Sequence, residues 1–226
     1  MLWNCETDHK NVMFKAQSYK NTSPANINVI IHEAQGNDAR AERINHHVEA
    51  LIANTIYPDT SAMSIQKTIN TFNSDYEDFL ADFPDTNNTW ELYVESEISY
   101  QSESVLSMAI NIYRYEGGAH GNDKIVFLNL NPKTGEVYDF NDLVSNKDVF
   151  KAKAKTFFIK HLELKEQPTD ISDYFYGSDF KLPEEIGFCE EGVILLYNVY
   201  EIASYAQGYT EFVIPFEDLE NTLNVY

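Results

Sequence analysis

Between Trp90 and Arg114 the chain repeats with a period of two. Trp90, Leu92, Val94, Ile98 and Tyr100 alternate with Glu91, Tyr93, Glu95, Glu97 and Gln101. Leu106, Met108, Ile110 and Ile112 carry the pattern on, with Asn111, Tyr113 and Arg114 set against them. Successive side chains of a strand point to opposite faces, so the alternation specifies two strands with one apolar face and one wet face. Ser102-Glu103-Ser104 joins them into a hairpin. An apolar sheet face needs a cover, and two amphipathic segments precede it. After Gly36-Asn37-Asp38, residues Ala41, Ile44, Val48, Leu51, Ile52 and Ile56 share one helical face. After Ser64, residues Ile65, Ile69, Phe72, Tyr76, Phe79, Leu80 and Phe83 do the same. Pro58 and Pro84 end the two helices, because proline cannot continue the hydrogen-bond ladder.

The remaining segments fill in around this frame. Residues 11–16 and 27–31 are short β-type runs separated by Asn21-Thr22-Ser23-Pro24, a strand pair. The hairpin delivers the chain to Gly117-Gly118-Ala119-His120-Gly121. Three glycines in five residues call for backbone conformations a side chain forbids, or for close approach of another segment. A third strand, Ile125 to Leu130, ends at the turn Asn131-Pro132-Lys133-Thr134-Gly135. A helical turn spans Asp139 to Leu143, and a helix from about Asp148 turns Val149, Phe150, Ala154, Phe157, Phe158 and Leu162 inward. Residues 166–184 are acidic and irregular and read as a surface loop. Ile186 to Cys189, Val193 to Tyr200 and Thr210 to Ile214 read as strands, and Phe216 to Leu219 as a helical turn. Helices grouped rather than alternating with strands predict an α+β fold. It has a largely antiparallel sheet with helices on one face and two lobes, 10–128 and 129–226.

Charge narrows the partners. The net charge is -20, from 36 acidic against 16 basic residues, which argues against nucleic acid, whose phosphates need clustered Lys and Arg. An acidic surface attracts basic partners, or simply keeps the chain in solution. No metal or cofactor motif stands out. Cys5 and Cys189 are far apart, and whether they form a disulfide is open. His46 and His47 are neighbours on a helix and point about 100° apart. The acidic run Asp75, Glu77, Asp78, Asp82 and Asp85 lacks the order and central glycine of a calcium loop. No apolar run is long enough to span a membrane, and Met1-Leu2-Trp3-Asn4 has no apolar signal core. Trp3-Asn4 before Cys5 does not supply the small residues of a lipid-attachment box.

Three blocks carry a resemblance. They are Gly117 to Gly121, the turn Asn131 to Gly135 leading into Phe140-Asn141-Asp142-Leu143, and Tyr200 to Gly208 followed by Val213-Ile214-Pro215-Phe216. Together they resemble paired extracytoplasmic domains of unknown function in bacterial envelope proteins. These occur in lysozyme-sensing (RsiV-type) anti-sigma factors, beside peptidoglycan deacetylase domains, and in lipoproteins. The likeness runs from about Val12 onward, with Ser204 standing where proline is common. It implies an exported protein and two lobes; membrane attachment is expected only through an anchor outside residues 1–226, and whether a lipid precedes residue 1 is open. For the sensor members it also implies lysozyme binding. No deacetylase domain is present in the sequence, so that activity is not implied.

The candidate binding residues are Tyr93, Glu95, Glu97, Tyr113, His120 and Tyr205, and the motif residues are Gly117, Gly118, Gly121, Tyr200 and Gly208. His120 lacks a neighbouring nucleophile or second ligand, and reads as a ring bonded to backbone in a crowded turn. The Gly117–Gly121 loop is expected to pack on the Tyr200–Gly208 loop. Glu95 and Glu97 lie about 6.7 Å apart along a strand, near the spacing of inverting glycosidases, although a wet sheet face explains them as well. Outward Tyr93 and Tyr113 fit sugar stacking or cross-strand packing. The reading is a non-catalytic binding or sensing domain whose ligand is a basic lysozyme-like protein or cell-wall glycan. Its rivals are a glycan hydrolase using Glu95 and Glu97, and a structural envelope module.

Overall fold

The computed structural model describes residues 11–58, 63–164, 171 and 174–226. Strands β1 (Phe14–Asn21) and β2 (Asn26–Ala34) form an antiparallel pair. The chain then crosses over through helices α1 (Ala39–Ile56) and α2 (Ile65–Asp82). It returns as β3 (Glu91–Gln101), parallel to β2. A parallel neighbour requires such a crossover, whereas the next two joins are antiparallel and local. Strands β4 (Leu106–Tyr115) and β5 (Asn122–Leu130) complete a five-stranded sheet in the order β1-β2-β3-β4-β5.

The helices start where local chemistry satisfies their first amides. The Asp38 carboxylate accepts the Ala41 N–H, and the Ser64 hydroxyl accepts the Lys67 N–H. Their apolar stripes then cover the sheet. Ile44, Val48, Ile52, Ile56, Ile69 and Phe72 pack with Ile27, Val29, Leu92, Val94, Ile110 and Ile112 in one interior. Each fully buried aliphatic chain there contributes about 1.5–3 kcal/mol. Phe83 falls just past the last turn of α2 and is exposed, so the stripe stops one residue short of the periodicity.

The remaining elements form the second lobe. Asp139 caps α3 (Phe140–Leu143) through a reciprocal box with Asp142. Helix α4 (Lys147–Leu164) covers a three-stranded antiparallel sheet, β6 (Glu185–Phe188), β7 (Gly192–Tyr197) and β8 (Thr210–Pro215). Every residue of β7 is buried. Phe158 of α4 sits at the centre of this second interior, with the rings of Tyr174, Phe175, Phe180, Tyr197 and Phe212 5.4–6.0 Å away. Val149 is exposed rather than inward, because the buried row runs at four-residue steps through Phe150, Ala154, Phe158 and Leu162. The described part of 166–184 is no surface loop, since Tyr174, Phe175 and Phe180 are buried in this core.

Two further expectations about β3 and β4 are corrected. A bulge between Ile98 and Tyr100 shifts the register, so Tyr100 lies opposite Ser107 while Gln101 takes the Leu106 side. Tyr100 therefore leaves the first interior and packs on Phe188 and Phe216 of the second. Arg114 lies on the apolar side, opposite Leu92, and its guanidinium donates to the Ile56 carbonyl at the end of α1 at 2.5 Å. An unpaired helix-terminal carbonyl is thereby satisfied. Cys5 lies outside the described residues, as does the N-terminal stretch preceding Asn11.

Side chains of the second lobe close the outer border of β5. Asn198 bonds both the Ile125 N–H and its carbonyl. The Glu185 carboxylate accepts the Phe127 N–H, and the Asn129 side-chain amide donates to the Ile186 carbonyl. A Cβ at Gly187 would run into the Phe127 ring, which holds β6 tight to the sheet.

Candidate functional site

The Gly117–Gly121 and Tyr200–Gly208 loops meet at one end of the joint between the lobes. The His120 ring stacks on Tyr205, with centroids 4.2 Å apart and planes 20° from parallel. His120 Nδ1 lies 2.9 Å from the Gly121 carbonyl oxygen. A carbonyl only accepts, so that contact places the ring proton on Nδ1. The ring thus bonds backbone, as the lone histidine between glycines implied.

Gly121 explains why the loop needs at least one of its glycines. Any Cβ there would enter the Tyr113 ring. Tyr113 is thereby held against its cross-strand partner Tyr93, with centroids 5.7 Å apart and planes 17° from parallel. The Asn26 amide donates to the Tyr93 hydroxyl at 2.5 Å. Burial, and then the Glu91 carboxylate, push both tyrosine hydroxyls above their ordinary pKa. Gly208 has a left-handed φ of +69° with open space around it, so its role is conformational. Gly117 also has a positive φ, beside Asn88, whereas Gly118 meets neither requirement.

Tyr200 and Tyr176 extend the aromatic surface. Both hold left-handed backbone, at φ +68° and +52°, which is uncommon for a bulky side chain. The Tyr176 hydroxyl is 2.8 Å from the carbonyl oxygens of both Tyr200 and Ala203, and its single proton ties one strained segment to the other. The Tyr200 ring lies 5.5 Å from Tyr205. Four tyrosines among the described residues are exposed, and three are here: Tyr176 at 65%, Tyr200 at 53% and Tyr205 at 39%. Of the five exposed Phe and Tyr side chains among the described residues, three lie on this surface, and Phe83 and Tyr226 lie elsewhere.

A cleft of about 230 Å³ opens beside Tyr200, lined by Asn122, Asp123, Lys124, Glu184 and Glu201 among others. Glu201 accepts the backbone N–H groups of Glu184 and Asn198 at 2.8 Å each. Lys124 lies 3.9 Å from Glu184. Burial raises the carboxyl pKa of Glu201, and of Glu185 behind it, despite those hydrogen bonds. A larger concavity, about 370 Å³ around Phe216, Leu219 and Tyr226, includes neither loop.

The structure therefore gathers Tyr93, Tyr113, His120, Tyr200 and Tyr205 into one neighbourhood. Glu95 and Glu97 continue the water face of β3 past Tyr93, exposed, opposite Asn111 and Ala109. The sequence reading missed Asp123, Tyr176, Glu184 and Asn198. Glu201 lies inside the Tyr200–Gly208 motif. Tyr176 and Glu184 sit in or beside an irregular stretch with no periodicity to mark them.

This arrangement is a two-domain α+β architecture, a helix-covered five-stranded sheet joined at its border to a helix-backed three-stranded one. Residues 16–123 match the family described as Deacetylase PdaC, and residues 141–217 match Protein of unknown function (DUF3298). The two matches lie one after the other along the chain, consistent with the pairing of domains that the resemblance implies. Its structure is similar to the crystal structure of a DUF3298 family member from Bacteroides fragilis NCTC 9343. The TM-score is 0.72 at 20% identity, over 95% of each chain. It is also similar to a DUF3298 family protein from Pseudomonas aeruginosa PAO1, with a TM-score of 0.71 at 18% identity, again over 95% of each chain. At these identities the likeness concerns the fold. No curated protein matches the chain.

Proposed function

We propose that this chain is a non-catalytic recognition domain of the bacterial cell envelope, acting outside the cytoplasm. Its ligand is a basic lysozyme-like protein or a cell-wall glycan, held on the tyrosine surface where the two lobes meet. The His120–Tyr205 stack carries the reading. It joins two loops more than eighty residues apart in the chain and brings exposed aromatic rings together instead of burying them. Amphipathic rings of this kind supply contact area at low entropic cost, as at binding surfaces generally. The charge of -20 favours a basic partner and steers its approach.

The hydrolase reading through Glu95 and Glu97 has less support. Two carboxylates that act on one glycosidic bond flank it from both sides. Residues two apart on one strand face the same way, and both are exposed. Calorimetric titration of the chain with lysozyme and with peptidoglycan fragments tests the proposal. Binding weakened about tenfold or more in a His120→Ala, Tyr205→Ala variant supports it. Absence of binding to either ligand leaves the structural-module reading. Release of muropeptides that Glu97→Gln abolishes restores the hydrolase.

A further inference from the structure

Helix α4 carries charge of the opposite sign to the chain as a whole. Five of the 16 basic residues, Lys147, Lys151, Lys153, Lys155 and Lys160, lie in its 18 residues, against Asp148 and Glu163. All but Lys153 are exposed. Elsewhere Arg40, Arg43, Arg114 and Lys124 each face a carboxylate. Among the described residues, no lysine of α4 does. A chain of net charge -20 is kept in solution by its acidic excess and needs no unpaired lysines gathered on one helix for that purpose.

The helical wheel shows what the lysines frame. Phe150, Ala154, Phe158 and Leu162 face the core. At about 100° per residue, Val149, Ala152, Thr156 and Ile159 fall on the side away from it. That outward stripe is uncharged. Val149 is 40% exposed, Ala152 and Thr156 are exposed, and Ile159 is half-buried. The Thr156 hydroxyl donates to the Ala152 carbonyl at 3.1 Å, so its polar group is satisfied within the helix. Lys151 and Lys155 run along one flank of the stripe, and Lys153 and Lys160 along the other. From Lys147 to Lys160 the charges spread over roughly 20 Å. A single phosphate calls for donors that converge, and these diverge. A narrow polyanionic chain meets one row at a time. A broad anionic surface meets both rows at once and lays its apolar boundary against the stripe between them.

We infer that α4 is a docking face for an anionic lipid bilayer, lying on the headgroups with both lysine rows against lipid phosphates. It turns the one basic face of an acidic chain toward the membrane and so sets the orientation of the second lobe. The docking is independent of what the tyrosine surface binds. The probes are vesicles of phosphatidylcholine alone and of phosphatidylcholine with roughly a third phosphatidylglycerol, sedimented with the full chain at low and moderate salt. The mixed vesicles are expected to bind about tenfold tighter or more, with the difference shrinking as salt rises. Each lysine near such a surface strengthens binding about fivefold. A Lys151→Gln, Lys155→Gln variant is therefore expected to lose about tenfold or more, and a Lys153→Gln, Lys160→Gln variant the same. The first pair avoids Lys147 and Lys160, whose ammonium groups lie over the Phe140 and Phe157 rings, so it tests charge without disturbing packing. A Lys20→Gln, Lys133→Gln variant, exposed away from α4, is expected to bind as the parent does. Absence of vesicle binding, equal binding to the two kinds of vesicle, or an equal loss in the Lys20 and Lys133 variant overturns the proposal. Loss in only one of the two α4 variants overturns the flat surface. Long-chain polyphosphate binding as tightly, with the same losses, replaces the bilayer by a soluble polyanion.

Discussion

Asn198 pairs with Ile125 as a neighbouring strand would. Its side-chain carbonyl accepts the Ile125 N–H and its amide donates to the Ile125 carbonyl, each at 2.9 Å. One side chain thus replaces two rungs of a ladder at the border of β5 and fastens the lobes together. Asn198→Ala leaves both backbone groups without that partner. The expected cost is about 1–3 kcal/mol in urea unfolding, with faster amide exchange at Ile125. Unchanged exchange there would mean the bond does not hold the joint.

The position where the resemblance has proline offers a gain. Ser204 has φ -66° and ψ 158°, which a proline ring accepts without strain. Its carbonyl accepts the Gln207 N–H, a bond proline retains. Ser204→Pro is expected to stabilise the chain by about 0.4–1 kcal/mol, through the unfolded state. Thermal unfolding should show a higher midpoint with the Tyr205 loop unchanged.

The lobe joint has a built-in pH dependence. Burial outweighs the Phe127 N–H and the nearby Lys124, and raises the Glu185 carboxyl above its ordinary value. A raised folded pKa means the folded chain holds that proton more tightly than the unfolded one. The stabilisation is complete below the ordinary carboxyl pKa and is lost as pH rises through the folded value. Glu185→Gln, which keeps an acceptor for Phe127, is expected to flatten that fall. Midpoints measured at pH 4 to 7 for both chains check it, and parallel curves would refute it.

The second interior is organised around one ring. Phe158 touches five other aromatic rings, so truncation leaves a cavity that none of them fills alone. Phe158→Ala is expected to cost about 3–5 kcal/mol, read by denaturant unfolding. The exposed His120–Tyr205 stack is a smaller matter. A double-mutant cycle on it is expected to give about 0.5–1.5 kcal/mol of coupling.

Much of the frame was legible because its determinants are local. Asp38, Ser64, Pro58 and Pro84 bound the two helices, and alternation marks the hairpin. What escaped depends on residues distant in the chain. Arg114 looks like a wet-face residue until the end of α1 is known to lie above it. Tyr174, Phe175 and Phe180 have no period, and only the hole around Phe158 explains their burial. Of the site, the two loops were marked by their glycines and by resemblance. The cleft was not, because Asp123, Glu184 and Glu201 come from three separate segments.

The bulge in β3 has its own consequence. Across it, β4 passes from Met108 to Ser107 while β3 passes from Ile98 to Tyr100, leaving Ser99 without an opposite number. Deleting Ser99 alone would leave both ends of the hairpin in step. Deleting any residue from Glu91 to Glu97 would turn every later side chain over. That supernumerary serine is the reason a single strand can lend Leu92 and Val94 to one interior and Tyr100 to the other.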